Sequence, residues 1–351
     1  MPTRTIDNLD PALRGFFHPV CRSADVGENE VTGVTLLGEH WAVARIDGVV
    51  SAQLDQCPHR GTPLSAGRVV DGAIECAYHG YRFGSDGRCR LIPAIGSAST
   101  IPPKAHNRSA HSVVEKYGLV WLAPDEPQLP VIDVPEWDDP DFVVAPLPDQ
   151  TWHAGAAQMV DNFLDLAHFP FTHLDTFGDP GDQEVPHYEV ERDGLSFVCD
   201  HHHSTKVLGD SMGGVDDFVV AERRSTWWYD APFSIRLRID YLHENVVLTI
   251  LFFHQPVDRD TTKLYCFDLR NDIADGRTTA EETIAFQVAV AEEDRELLEK
   301  LRTTAMPLDL TAEVHTRADR ITVEMRRILN DVVTSARETP PSSESVQVTV
   351  A

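Results

Sequence analysis

The residues best suited to chemistry gather first in two short loops, Cys57-Pro58-His59-Arg60-Gly61 and Cys76-Ala77-Tyr78-His79-Gly80. Each offers one thiolate and one imidazole, separated by one residue in the first loop and two in the second. Sixteen residues lie between His59 and Cys76, with turn formers (Gly61, Pro63, Gly67, Asp71-Gly72) around a short apolar strand. Such a stretch can fold the two loops back against each other. Two Cys and two His so spaced could hold a tetrahedral zinc. They could also hold a two-iron, two-sulfide cluster, with both Cys on one iron and both His on the other. Zinc fingers usually pair Cys with Cys and His with His, whereas each loop here mixes the two.

A second constellation runs from Asp161 to His173. Asn162, Asp165 and His168 are three apart, which predicts one shared helical face. Pro170 cannot continue a helix and pushes Phe169 away from the αR region. The chain is therefore expected to break after His168, so that His173 can swing back toward it. Two imidazoles and one carboxylate make a facial triad that leaves positions on Fe(II) open for dioxygen and substrate. Taken alone, such a His pair is more often structural.

The pattern C-x-H, sixteen residues, C-x-x-H, flanked by -HRG- and -YHG-, resembles the Rieske cluster motif. In its company, N-x-x-D-x-x-H-x-x-x-x-H over Asn162 to His173 resembles the mononuclear iron segment of the Rieske non-haem iron oxygenases. The resemblance spans roughly residues 14 to 330. It implies that Cys57, His59, Cys76 and His79 ligate a [2Fe–2S] cluster, and that His168 and His173 bind a mononuclear Fe(II). Asp165 becomes the carboxylate linking the iron site to a cluster, and Asn162 a residue near the iron. The third iron ligand is implied in a late helix at Glu292-Glu293-Asp294, where the second acidic residue of the family's pair maps onto Asp294 and Glu293 is the alternative. Asp294 stands one turn from Val290 and Leu298, near the apolar side. The resemblance also implies a homotrimer in which the cluster of one subunit faces the iron of the next, with Asp165 between His79 and His168.

The implied activity is that of a terminal oxygenase, a monooxygenase or demethylase. It would use O2 and external electrons to hydroxylate or demethylate a small aromatic or heterocyclic substrate. The length of 351 residues is similar to the shorter, α-only vanillate- and dicamba-demethylase group. The alternatives are a ring-dihydroxylating dioxygenase and a Rieske-type electron-transfer protein without oxygen chemistry. No G-x-G-x-x-G follows a predicted strand, so a ferredoxin and/or an NAD(P)H-dependent reductase is the expected electron source.

Short elements must position these residues. Val34 to Leu37, Trp41 to Arg45, Val49-Val50, Ile74 to Cys76, Tyr81 to Phe83, Val113-Val114 and Leu119 to Leu122 read as short strands between turns. Asp86-Gly87 is a hairpin signal, and Leu13 to Val20 an amphipathic segment with Phe16 and Phe17 as core. After a Pro- and Asp-rich stretch, Pro124 to Pro148, a helix is predicted over Ala156 to Ala167. Longer alternating strands follow between Tyr188 and Leu269, and two helices over Thr279 to Arg302 and Thr311 to Thr334. The predicted fold class is α+β: a small antiparallel β Rieske domain and a larger catalytic domain with an antiparallel sheet and flanking helices. The expected division is an N-terminal segment 1–15, the Rieske domain 16–124, a linker 125–150, the catalytic mononuclear iron domain 151–335 and a disordered Ser/Pro/Glu-rich tail 336–351. His201-His202-His203 would point to alternate faces of a strand, at the surface or lining a pocket. Trp227-Trp228 and Phe252-Phe253 read as core or pocket wall.

Net charge is −26, which excludes nucleic acid and anionic membrane surfaces as expected partners. Between Cys57 and Arg108, seven basic residues stand against three acidic ones, a basic island around the first site. The six cysteines form no disulfide framework. No run approaches the ~18 apolar residues of a membrane span, and the start carries no signal-like stretch. A cytoplasmic location is expected.

Overall fold

The computed structural model describes residues 4–208, 218–242 and 244–338. Its fold is α+β, as expected. Val31–Leu36, Glu39–Ile46 and Val49–Leu54 form one antiparallel meander. Arg68–Val70, Ala73–Glu75, Arg82–Phe83 and Cys89–Leu91 form a second. The strand Glu39–Ile46 is buried on both faces. Trp41 and Val43 join the main core, while Ala42, Ala44 and Ile46 join a small separate core with Leu64, Ile74, Phe83 and the cysteines 57, 76 and 89. The two Cys–His loops thus rest on a hydrophobic floor of their own.

The second half is built on an eight-stranded antiparallel sheet running from Val143–Pro146 through Thr262–Arg270, Val246–Pro256, Ser234–Tyr241, Phe218–Asp230 and Ser196–Leu208 to Glu189–Asp193. Gln150–Trp152 pairs beside the first of these on Thr262–Arg270. The twofold period of the strands separates two faces. Trp227, Phe252, Leu264 and Cys266 face a cavity under a helix, while Trp228, Phe253, Tyr265 and Phe267 pack the opposite side.

Among the described residues, four α-helices complete this half: α1 (Ala156–Leu164), α2 (Phe169–Thr172), α3 (Ala280–Leu298) and α4 (Arg320–Glu338). A capping box of Thr279 and Glu282 starts α3. Ile321, Met325, Ile328, Leu329 and Val332 recur at helical spacing on the buried side of α4. This helix starts later than the expected Thr311, because Thr316 and Asp319 cap the turn that leads into it. It also runs through 336–338, expected as tail; residues 339–351 lie outside the described residues.

The stretch expected as a linker is part of the packing. Val131, Ile132 and Val134 are buried against Leu251, Phe253 and Tyr265, and Val143–Pro146 is a strand of the large sheet. Apolar residues among the prolines and aspartates account for this. The N-terminal segment is tied to the same half: Thr5–Ile6 pairs with Met306–Pro307, and the Asn8 carboxamide donates to Thr262 Oγ1. Phe16 is buried and Phe17 half-buried.

Candidate active site

The two Cys–His loops share one backbone pattern. The Cys57 N–H donates to the Thr62 carbonyl at 2.8 Å, and the Cys76 N–H to the Tyr81 carbonyl at 2.8 Å. In each loop the glycine four residues on donates back to the cysteine carbonyl, Gly61 at 2.9 Å and Gly80 at 3.0 Å. Both glycines adopt positive φ, +75° and +68°, which a side chain would oppose. The cysteines therefore occupy equivalent positions, and only the histidines differ by one place. Cys57 and Cys76 are buried, while His59 is half-buried and His79 exposed. The imidazole rings lie 4.5 Å apart, with Tyr81 stacked on His59 at 4.8 Å. Burial and the adjacent Cys76 thiol push the Cys57 thiol up to about 11. A bound cation is what would make it a thiolate at neutral pH. His59 Nδ1 is buried with no hydrogen-bond partner.

The second constellation is assembled by a break earlier than expected. Helix α1 stops at Leu164, and Asp165 is extended at φ −78°, ψ 136°. Pro170 then opens the short helix α2 rather than ending a long one. Its missing N–H falls in the first turn, where no helical partner exists anyway. Asp165 holds this corner: its carboxylate accepts from the backbone N–H of Ala167 and of His168, both at 3.1 Å, and from His168 Nδ1 at 3.0 Å. His173 follows α2 and donates from Nδ1 to Glu293 Oε2 at 2.8 Å. Glu293 also accepts from Thr176 Oγ1 at 2.7 Å and from the Asp175 N–H at 3.2 Å.

With both Nδ1 atoms committed to carboxylates, the Nε2 lone pairs are left to meet each other. They lie 3.1 Å apart. Asp294 Oδ1, buried on α3, is 3.5 Å from His168 Nε2 and 3.4 Å from His173 Nε2, and has no hydrogen-bond partner. Two imidazole nitrogens and a carboxylate oxygen converging this closely fit a metal ion. Burial pulls His168 down, but Asp165 and Asp294 outweigh it and hold the imidazole up at about 9. The corner stabilises positive charge, whether proton or metal. Asp294 faces the two Nε2 atoms and Glu293 faces an Nδ1, so the neighbouring carboxylates have different places. Of the other residues singled out, Asn162 lines the cavity with its Nδ2 buried and unpartnered.

These donors sit at one side of a cavity of about 330 Å³ between the large sheet and α3. Its walls are mainly apolar, with Leu237, Ile239, Leu248, Ile250 and Phe252 from the sheet and Val290 from the helix. Glu293 as the acceptor for His173, and the buried polar pair Asp268 and Gln287, were not singled out in these roles by sequence. Glu293 borders Asp294, and Asp268 breaks an inward-facing apolar alternation; both signals are present in the chain. His201 is buried and lines a second pocket, and its ring lies edge-on to Tyr188. Much of the basic island is neutralised: Arg68 and Arg82 pair with Glu75, Arg88 and Arg90 face Asp86, and Arg108 pairs with Glu39. Among the described residues, no helix is long and apolar enough to cross a membrane.

Comparison with known proteins bears on both sites. Residues 16–103 match the Rieske [2Fe-2S] domain, and residues 152–335 match the vanillate O-demethylase oxygenase C-terminal domain. The chain is 31% identical to the methylxanthine N3-demethylase NdmB of Pseudomonas putida over 93% of its own length and 91% of that protein. It is 24% identical to the vanillate O-demethylase oxygenase subunit of a Pseudomonas strain, over 83% and 86%. The solved structure of Pseudomonas putida NdmA with caffeine superposes with a TM-score of 0.82 at 26% identity, covering 95% of this chain and 94% of that one. The chain thus belongs to the Rieske non-haem iron oxygenases, as an oxygenase component of the demethylase group that carries a Rieske [2Fe–2S] cluster and a mononuclear iron.

Proposed function

We propose that this protein removes methyl groups oxidatively from nitrogen or oxygen on a small, flat aromatic or heterocyclic substrate. In this reading Cys57, His59, Cys76 and His79 ligate the cluster, and His168, His173 and Asp294 ligate Fe(II). The observation that carries it is the convergence of His168 Nε2, His173 Nε2 and Asp294 Oδ1 within 3.5 Å at the wall of an apolar cavity. Methylxanthine demethylases, alike over nearly the full length, support the substrate class. The functional units are residues 16–124 and 151–335, and the electron donor is a ferredoxin and/or an NAD(P)H-dependent reductase. The assembly is a homotrimer in which electrons cross from the cluster of one subunit to the iron of the next.

Bound there, the cluster supplies electrons singly and the iron activates dioxygen. The chain's own residues do the rest. Asp165 and Glu293 accept the Nδ1–H of His168 and His173, fixing each tautomer with Nε2 toward the metal position. The apolar walls exclude water and hold the substrate's methyl group near that corner. Oxygen insertion into a C–H bond of the methyl gives a hemiaminal or hemiacetal, which collapses to formaldehyde and the demethylated substrate. Two electrons and two protons accompany each O2, and the second oxygen leaves as water.

The test is turnover with a surrogate reductase, NADH and a panel of N- and O-methylated rings. Formaldehyde formed in step with demethylated product, only in the presence of O2, is the expected result. A cis-diol product, or purified protein that holds zinc and no sulfide, would overturn the proposal.

A further inference from the structure

The cavity wall carries a buried carboxyl group that neither iron binding nor water exclusion explains. Asp268 lies in the strand Thr262–Arg270, in register with Ile250 and on the same face as Leu264 and Cys266. It is fully buried and lines the cavity. Its Oδ1 accepts a long bond, 3.3 Å, from Gln287 Nε2 on α3, and its Oδ2 has no partner. The guanidinium two residues along the same face, Arg270, is committed to Asp272 at 2.7 and 2.8 Å. Thr283, one turn before Gln287, also lines the cavity, and its buried hydroxyl has no partner. Polar capacity of this kind, buried and unspent, is rare in a folded chain and calls for a ligand.

We propose that Asp268, supported by Gln287, is the specificity-determining group of this cavity, and that it grips a neutral lactam edge, a ring carbonyl beside a ring N–H. The proposal rests on the demethylase reading for its substrate class and adds which edge of the ring is held. A neutral carboxyl offers an O–H donor at Oδ2 and a spare lone pair at Oδ1. A lactam offers the complement, so the two meet through a pair of parallel hydrogen bonds, O–H···O=C and N–H···O. Burial, only partly offset by Gln287 and Arg270, pushes the Asp268 carboxyl up to about 7, which keeps the donor form available. Neutral Gln287 and Thr283, which line the same wall, suit an amide-like edge.

The experiment measures binding by calorimetry on the intact, metal-loaded enzyme held anaerobically. Probes are paired lactams and their N-methylated partners: theobromine with caffeine, and 2-quinolinone with its N-methyl derivative. Wild type should bind each free lactam more tightly than its blocked partner. Asp268→Leu should weaken lactam binding roughly ten- to a hundredfold while leaving the blocked partners nearly unchanged. Asp268→Asn, which keeps a donor and an acceptor, should fall between. Both variants should keep the wild-type melting temperature or exceed it, because a buried carboxyl with an unpartnered oxygen is removed. A merely structural Asp268 would show the reverse, a lower melting temperature with selectivity unchanged, and that result overturns the proposal. So does wild-type protein that binds no lactam better than its methylated partner. Formaldehyde release is scored separately: its absence with lactam preference intact sinks demethylation and not edge recognition, while its presence with equal affinities does the opposite.

Discussion

Asp294 and Glu293 are adjacent on α3 yet serve different atoms, because successive side chains on a helix diverge around its axis. Asp294 offers a bare oxygen to two imidazole nitrogens, and Glu293 accepts a proton from one of those rings. Asp294→Asn is therefore expected to lose nearly all mononuclear iron with the cluster's colour intact. Glu293→Gln keeps an acceptor oxygen for His173 and should retain iron, with affinity lowered about 10- to 100-fold. Metal analysis after dialysis against a chelator separates them, and equal loss in both would mean that Glu293 also ligates. Buried histidines away from the site set the acid limit. His254, against the Phe233 carbonyl, and His18, against that of Leu13, are each brought by burial to about 4 from the ordinary 6.5. Since the unfolded chain takes up these protons first, stability is full above pH 6.5 and falls as pH drops toward 4, by up to ~3 kcal/mol per histidine. The urea midpoint should fall between pH 7 and pH 5, and a midpoint that holds constant would refute this account. That His168, His173 and Asp294 come together was legible because residue type and spacing restrict which groups can converge. That Asp268 faces a cavity under α3 was not, since this depends on how strand and helix pack, which neither segment's own pattern records.

At the level of elements, the iron corner depends on a tight turn. The Gly178 N–H donates to the His173 carbonyl at 2.7 Å. A Cβ there would stand 2.3 Å from the Phe169 carbonyl oxygen and 2.8 Å from that of His173, both backbone atoms that cannot yield cheaply. Gly178→Ala should displace α2 and His173, lower turnover more than tenfold and reduce iron content, while costing about 1–2 kcal/mol of global stability. Unchanged iron and turnover would show that the turn has slack. The long helices were readable from periodicity: α3 begins beside its Thr279–Glu282 box. The corner between α1 and α2 was not, because Pro170 permits either the end of one helix or the start of another, and Asp165 decides by accepting the N–H groups of Ala167 and His168. The stretch read as a linker packs against the large sheet for a related reason. Proline and aspartate signal turns, but Val131, Ile132 and Val134 among them carry enough apolar area to pack against the sheet.

At the scale of the whole molecule, the question is how the two centres communicate. The cluster loops end in exposed groups, His79 and Tyr78, the latter 64% exposed. Beside the iron corner, Phe171 and Leu174 are 60% and 54% exposed. Large side chains left open next to both sites suit a subunit contact that brings the sites together. Asp165 is placed to serve such a contact. One oxygen is shared by the His168 backbone N–H and Nδ1, and the other accepts only from Ala167. A carboxylate oxygen has a second lone pair, so an imidazole from a neighbouring subunit can bind there. Asp165→Asn should then keep both metals and a donor-reducible cluster while turnover collapses. Because Asp165 also caps the corner, iron content must be measured in the same sample. Mixed assemblies avoid that ambiguity. Subunits without a cluster (Cys57→Ser) and subunits without the iron site (His168→Ala) are each inactive alone. If electrons cross between chains, co-assembled oligomers contain junctions where an intact cluster faces an intact iron, and part of the wild-type turnover returns. Transfer within one chain gives no recovery at any mixing ratio, since no single subunit then holds both centres. Mass spectrometry of differently tagged subunits verifies that the oligomers are mixed, and inactivity in such oligomers would rule out the inter-subunit route.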